Sequence, residues 1–215
     1  NLWFTAEYFT GVSLAGKFGD GWSYKAGLYS GDGNDEWSKF DAGNFALGSL
    51  GYDFAGGLGL DKALVRLDYV YNEEDTENNT PDFSRVVSLS SDWEQGAWGL
   101  RAELASGDGY YEQSDLWGVV LMPYYDLTDR WQLVLRYTYL DSDDLNGIRF
   151  GRYEDRVVEG RGDEYDEYFA GINYFFYGHK FKWQTGVQYT TMKDSADDGG
   201  DFDGWGITTV LRLYW

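Results

Sequence analysis

The side chains of this sequence that could act on a solute are spaced cations, not a nucleophile set beside a base. Lys17, Lys25, Arg66, Arg101, Arg136, Lys182 and Arg212 each fall on the more polar of the two faces that a period-two pattern defines. Cations in file offer an anion successive charge-assisted hydrogen bonds, and a guanidinium matches oxyanion geometry. Asp53, Asp68, Asp92, Glu103 and Glu167 share that face. Asp68 follows Arg66 by two and Glu103 follows Arg101 by two, so each couple is adjacent on one side of its strand. Two readings stay open: the cations pair structurally with these carboxylates, or they form a ladder for anions.

Other chemistry finds little support. His179 is the single histidine, set in a short turn away from any serine-rich site, so no positioned base meets a nucleophile. No residue is assigned a catalytic role, and no cofactor is expected. With 0 cysteines there is neither a disulfide framework nor a thiolate metal site. Asp194, Asp197, Asp198, Asp201 and Asp203 are dense in oxygen, but they lack the D-x-D-x-D-G loop with its twelfth-position Glu. They read as solvated charge, with divalent bridging to lipid headgroups or a neighbouring protomer as the alternative, and no metal site is assigned. A net charge of −20 argues against a nucleic-acid partner.

The elements that must hold these side chains are strands. Alternation marks residues 12–18, 22–31, 45–54, 63–72, 85–93, 97–106, 116–126, 131–140, 165–176, 181–192 and 204–215. In the last of these Trp205, Ile207, Thr209, Leu211, Leu213 and Trp215 fall on one side, and Gly206, Thr208, Val210, Arg212 and Tyr214 on the other. Connections alternate between short, such as Gly19-Asp20-Gly21 or Glu94-Gln95-Gly96, and long and acidic. Residues 2–9 supply a twelfth strand if the chain turns at Thr10-Gly11. The alternative is that strands precede Asn1, which lacks an initiator Met and a leader; either restores an even strand number, and the tightness of a Thr-Gly turn on the long-loop side and the edge it would leave unpaired favour the second.

Composition says where such strands would lie. Aromatics make up 20% of the chain, with 10 Trp and 19 Tyr, yet no run approaches a spanning helix. In a transmembrane barrel only every second residue meets lipid, and aromatics gather at the two interfaces. Trp22, Trp93, Trp98, Trp131 and Trp183 sit beside the short turns and read as a periplasmic girdle. The expectation is an all-β, antiparallel transmembrane β-barrel in a single domain over residues 1–215.

Several stretches resemble the phosphate-selective porin O and P family of outer-membrane channels. They are Gly162-Asp163-Glu164-Tyr165, the run from Ala170-Gly171-Ile172-Asn173-Tyr174 to His179-Lys180, and Lys182-Trp183-Gln184. WQLVLRYTY at 131–139 and the hairpin at 11–31 are similar too. The resemblance covers the chain and maps to the C-terminal part of the family's barrels. It implies a homotrimeric porin of roughly 16 to 18 strands, resident in the bacterial outer membrane. The lysine-rich constriction loop of the phosphate-specific members is not identifiable.

The function expected is passive diffusion of small hydrophilic or anionic solutes, with outer-membrane lipid as the other partner and no reaction. The alternative is a soluble, secreted β-sandwich that binds polysaccharide through exposed aromatics.

Overall fold

The computed structural model describes residues 8–33, 42–75, 77–151, 156–158 and 160–214. In chain order the strands are β1 (Gly11–Phe18), β2 (Trp22–Ser30), β3 (Asn44–Asp53), β4 (Lys62–Asn72), β5 (Phe83–Gln95), β6 (Trp98–Gly109), β7 (Leu116–Asp126), β8 (Trp131–Ser142), β9 (Glu164–Tyr177), β10 (Phe181–Lys193) and β11 (Phe202–Leu213). They form one 11-stranded sheet in which each strand pairs antiparallel with the next. Among the described residues, β1 and β11 have no partner on their outer sides. Residues 2–7 of the candidate twelfth strand, the acidic run 34–41 and the terminal Trp215 lie outside the described residues, while Tyr8 and Phe9 are not in a strand.

Short turns close by left-handed glycines. Gly96 between β5 and β6 has φ 58° and Gly178 between β9 and β10 has φ 50°, a region costly for residues with a Cβ. The glycine-rich link after β3 differs from the turn expected: it coils into a short helix, α1 (Ala55–Leu58). Asp53 Oδ1 accepts the N–H of Ala55 at 2.9 Å to start it. At the long-loop end several strands outrun the alternation; β6 reaches Gly109 and β8 reaches Ser142. Ladder hydrogen bonds need only backbone, so pairing continues where polar side chains such as Ser106 and Asp141 have ended the pattern.

Because no strand crosses over, the register carries the two-faced pattern intact around the sheet. On one face stand Leu14, Leu28, Leu50, Leu67, Leu89, Leu104, Leu121 and Leu135, all exposed. No second layer covers this face among the described residues, with Leu135 56% exposed, which removes the sandwich alternative. Aromatic pairs bound the apolar band at both ends. Near the short turns are Trp22–Tyr52 (4.8 Å), Trp98–Tyr125 (4.5 Å) and Trp131–Tyr174 (4.5 Å). Near the long loops are Trp117–Tyr139 (5.3 Å), Tyr137–Tyr168 (5.0 Å) and Tyr189–Trp205 (5.0 Å). Among the described residues no helix is long and apolar enough to cross a membrane.

The polar face is the concave one. Arg101 on β6 and Thr208 and Val210 on β11 line one cavity. Arg101 and Lys182, four strands apart, border that cavity together. On a flat sheet they would stand roughly 19 Å apart.

Candidate functional site on the concave face

Residues directly opposite in a ladder point to the same side, so the register decides where each candidate lies. Lys17 opposes Ser23, and Lys25 opposes both Ala15 and Ser49. Ser49 opposes Asp68, Gly51 opposes Arg66 and Asp53 opposes Leu64. Leu64 then opposes Asp92, which opposes Arg101, while Glu103 opposes Ser90. Arg136 opposes Phe169, Thr138 opposes Glu167, and Lys182 opposes both Phe175 and Arg212. All seven cations and all five carboxylates therefore share the concave side.

Their pairing departs in part from the spacing argument. Arg66 Nε holds Asp68 at 2.7 Å along its own strand, as spacing suggests. Arg101 instead reaches across the ladder to Asp92 at 3.4 Å, and Glu103 takes the hydroxyl of Ser88 at 2.8 Å. Direct opposition brings side chains closer than the two-residue step along a strand does, so register wins over sequence spacing. Arg136 donates from Nε (3.0 Å) and Nη2 (2.7 Å) to one oxygen of Glu167, whose other oxygen accepts from Tyr165. Asp53 is committed to the turn before α1, and among the described residues no cation lies within ion-pair distance of it. Lys62, which the sequence pattern left in a turn, belongs to this face: its ammonium binds Asp92 at 2.6 Å and Glu94 at 3.3 Å. Its place just before the apolar-polar run of β4 was the available signal. Among the described residues Lys17, Lys25, Lys182 and Arg212 have no carboxylate within ion-pair distance.

Cavities lie along this face. One of about 390 Å³ contains Lys17 and Lys25. One of about 270 Å³ contains Arg66, Asp92, Arg101 and Glu103. The next, of about 480 Å³, contains Arg101, Arg136 and Lys182. His179, expected to stand apart in its turn, borders the larger cavity, with its ring 5.0 Å from Phe175. A row of amides crosses its floor. Gln184 donates to Asn173 (2.9 Å), Asn173 to Gln132 (2.8 Å), and Gln132 to Asp126 (2.8 Å). Each amide keeps hydrogen-bonding capacity for whatever occupies the cavity.

Toward the long loops the concave face turns apolar. Val70, Val86, Leu116 and Met192 are buried there, packed with Leu47, Leu140, Tyr165 and Phe202. Ile148, Phe150 and Val158, from the connection between β8 and β9, complete the cluster. That connection was expected to be solvated acidic loop. It folds inward because its few apolar residues find a collar of apolar partners. The missed signal is loss of alternation, with apolar residues on both sides at strand ends, as at Tyr69-Val70-Tyr71.

The acidic connection between β10 and β11 is ordered by its own backbone. Asp194 accepts N–H bonds from Ala196 (2.9 Å), Asp198 (2.8 Å), Gly199 (3.1 Å) and Gly200 (3.0 Å). The Gly200 N–H foremost, against partial loss of water and with the other three N–H groups, holds this carboxyl below the ordinary range. Loss of water pushes Asp163 upward, but Ser195 and the Asn146 N–H outweigh it and leave that carboxyl low as well. Asp163 accepts the N–H of Asn146 with one oxygen and that of Ser195 with the other, both at 2.7 Å, and so ties the connection between β8 and β9 to the one between β10 and β11. Among the described residues no group of acidic or histidine side chains is arranged to hold a metal ion.

The sequence matches no protein-family model and no curated protein. Among solved structures the chain is similar to the outer membrane channel DcaP of Acinetobacter baumannii, with a TM-score of 0.58 at 12% identity. The alignment covers 93% of this chain and 61% of that channel, so the chain spans less than two thirds of its length. At that identity the likeness is one of fold: an antiparallel sheet of the kind found in outer-membrane β-barrel channels.

Proposed function

We propose that this chain forms wall of an outer-membrane diffusion channel, in which small hydrophilic solutes pass along the concave face without reaction. The observation that carries this reading is the segregation of the two faces. A bare apolar band with aromatics at both ends suits lipid, and a concave side of cations, carboxylates and amides suits water and solute. The likeness in fold to an outer membrane channel supports the same reading.

We propose further that passage favours anions, phosphate among them. Lys182 and Arg212 stand directly opposite each other, and among the described residues no carboxylate lies within ion-pair distance of either. Like charges so placed destabilise a ladder unless something else neutralises them, and a passing anion does. The paired arginines retain free N–H groups toward the cavities. Assembly as a homotrimer belongs to the same proposal, since part of the apolar face would then meet copies of itself in place of lipid.

Planar-bilayer recordings in a KCl gradient test the reading. The expected result is discrete conductance steps with a reversal potential on the chloride side, moving toward zero in Lys182→Gln. A reversal potential on the potassium side would assign selectivity to the acidic loops and remove the anion proposal. Absence of conductance would remove the channel.

A further inference from the structure

Arg101 and Arg136 are mounted in the same unusual way. The guanidinium carbon of Arg136 lies 5.1 Å from the centroid of the Phe169 ring, and that of Arg101 lies 5.7 Å from the ring of Tyr124. Each ring in turn lies flat over glycine backbone. A Cβ at Gly171 would come within 2.6 Å of Phe169 Cζ, and one at Gly186 would clash with the same ring. A Cβ at Gly99 would run into Tyr124 likewise. The glycines make a depression in the wall, the ring fills it, and the guanidinium lies across the ring.

Each guanidinium is also held at one edge. Glu167 takes Nε and Nη2 of Arg136, and Asp92 takes Nε of Arg101. With one face on a ring and one edge on a carboxylate, the remaining N–H groups have a fixed direction. Both arginines border the same cavity of about 480 Å³. Arg66, held by Asp68 along its strand, is not placed over a ring. The Tyr124 hydroxyl bonds Glu94 at 2.9 Å, which fixes that ring as well.

We infer that Phe169 and Tyr124 are positioning residues for selectivity: laid on glycine backbone, they hold Arg136 and Arg101 against the wall with their free N–H edges toward the passing solute. The inference rests on the anion reading above. It adds that charge alone does not set the preference; orientation of the guanidinium does. A guanidinium held only at its carboxylate edge can swing about that contact, whereas one also stacked on a ring cannot turn.

The test compares reversal potential and single-channel conductance in the protein reconstituted in planar bilayers. Phe169→Leu keeps every charge and removes the ring. A ring–cation contact of this exposure corresponds to about a two- to fivefold fall in the anion-to-cation permeability ratio, with conductance little changed. Phe169→Tyr restores the ring and the ratio, and Gly186→Ala, which displaces the ring with no change at position 169, lowers it as Phe169→Leu does. If Arg136→Gln lowers the ratio while Phe169→Leu and Gly186→Ala leave it unchanged, positioning by the ring is overturned. If Arg136→Gln also leaves the ratio unchanged, the anion reading falls and takes this inference with it.

Discussion

The individual charges show what sequence can and cannot reveal. That Arg101 and Arg136 face the concave side follows from alternation alone. That Arg101 pairs with Asp92 in place of Glu103 does not, because the partner is chosen by register across a ladder whose offset no single strand contains. The ring stacks are equally hidden: Gly171 and Gly186 read as weak strand positions until Phe169 is seen lying over both. Glu167, with its side chain 9% exposed, is where the pairing matters most. Glu167→Gln removes the charge that Arg136 leans on. Since Arg136 is more than a third exposed, the loss is screened, and the expected cost is about 1 kcal/mol in urea unfolding from lipid vesicles. The same substitution leaves a cation uncompensated, so the reversal potential should move further toward chloride. A shift the other way would mean that Glu167 matters more for holding Arg136 in place than for offsetting its charge.

At the scale of elements, short turns and strands were legible because glycine and alternation are local signals. The helix α1 and the inward fold of the connection between β8 and β9 were not. Both depend on what lies across the sheet: Ile148, Phe150 and Val158 have meaning only once Val70, Leu116 and Met192 are placed opposite them. The loops above this collar are carboxylate-organised, which gives them an acid limit. The folded-state pKa of Asp194 lies below its ordinary 3.8, so the stability it contributes is fully present above that value. It is lost as the pH falls through the lower, folded value. Amide exchange of Ala196, Asp198, Gly199 and Gly200 should stay slow from neutral pH to about pH 4, then quicken on further acidification. In Asp194→Asn, which lacks the charge that collects these N–H groups, exchange should already be fast at neutral pH. Slow exchange in that variant would show that the loop is ordered by other contacts.

The molecule as a whole is defined by its two unlike sides, and here sequence was most informative, since a period of two fixes the side of every strand residue at once. Trp131 and Tyr139 bracket the apolar face of β8 about eight residues apart, roughly 26 Å along the strand, with Leu135 midway. Leu135→Arg should lower stability in a bilayer by about 2–4 kcal/mol. Val134→Arg, one residue away but on the concave side, should cost far less. Urea unfolding from lipid vesicles measures both, and equal penalties would contradict the assignment of faces.

Among the described residues the outer margins of β1 and β11 are bare, and that has a consequence for entry into a bilayer. In hydrocarbon every unmet amide and carbonyl carries a penalty of several kcal/mol, so the sheet cannot slip into a bilayer and seek its neighbours afterwards. Zipping those margins shut and leaving water must be a single concerted act. Until then, in the aqueous space on the way, each margin is an open template onto which another unfolded chain can add. The hazard grows with concentration.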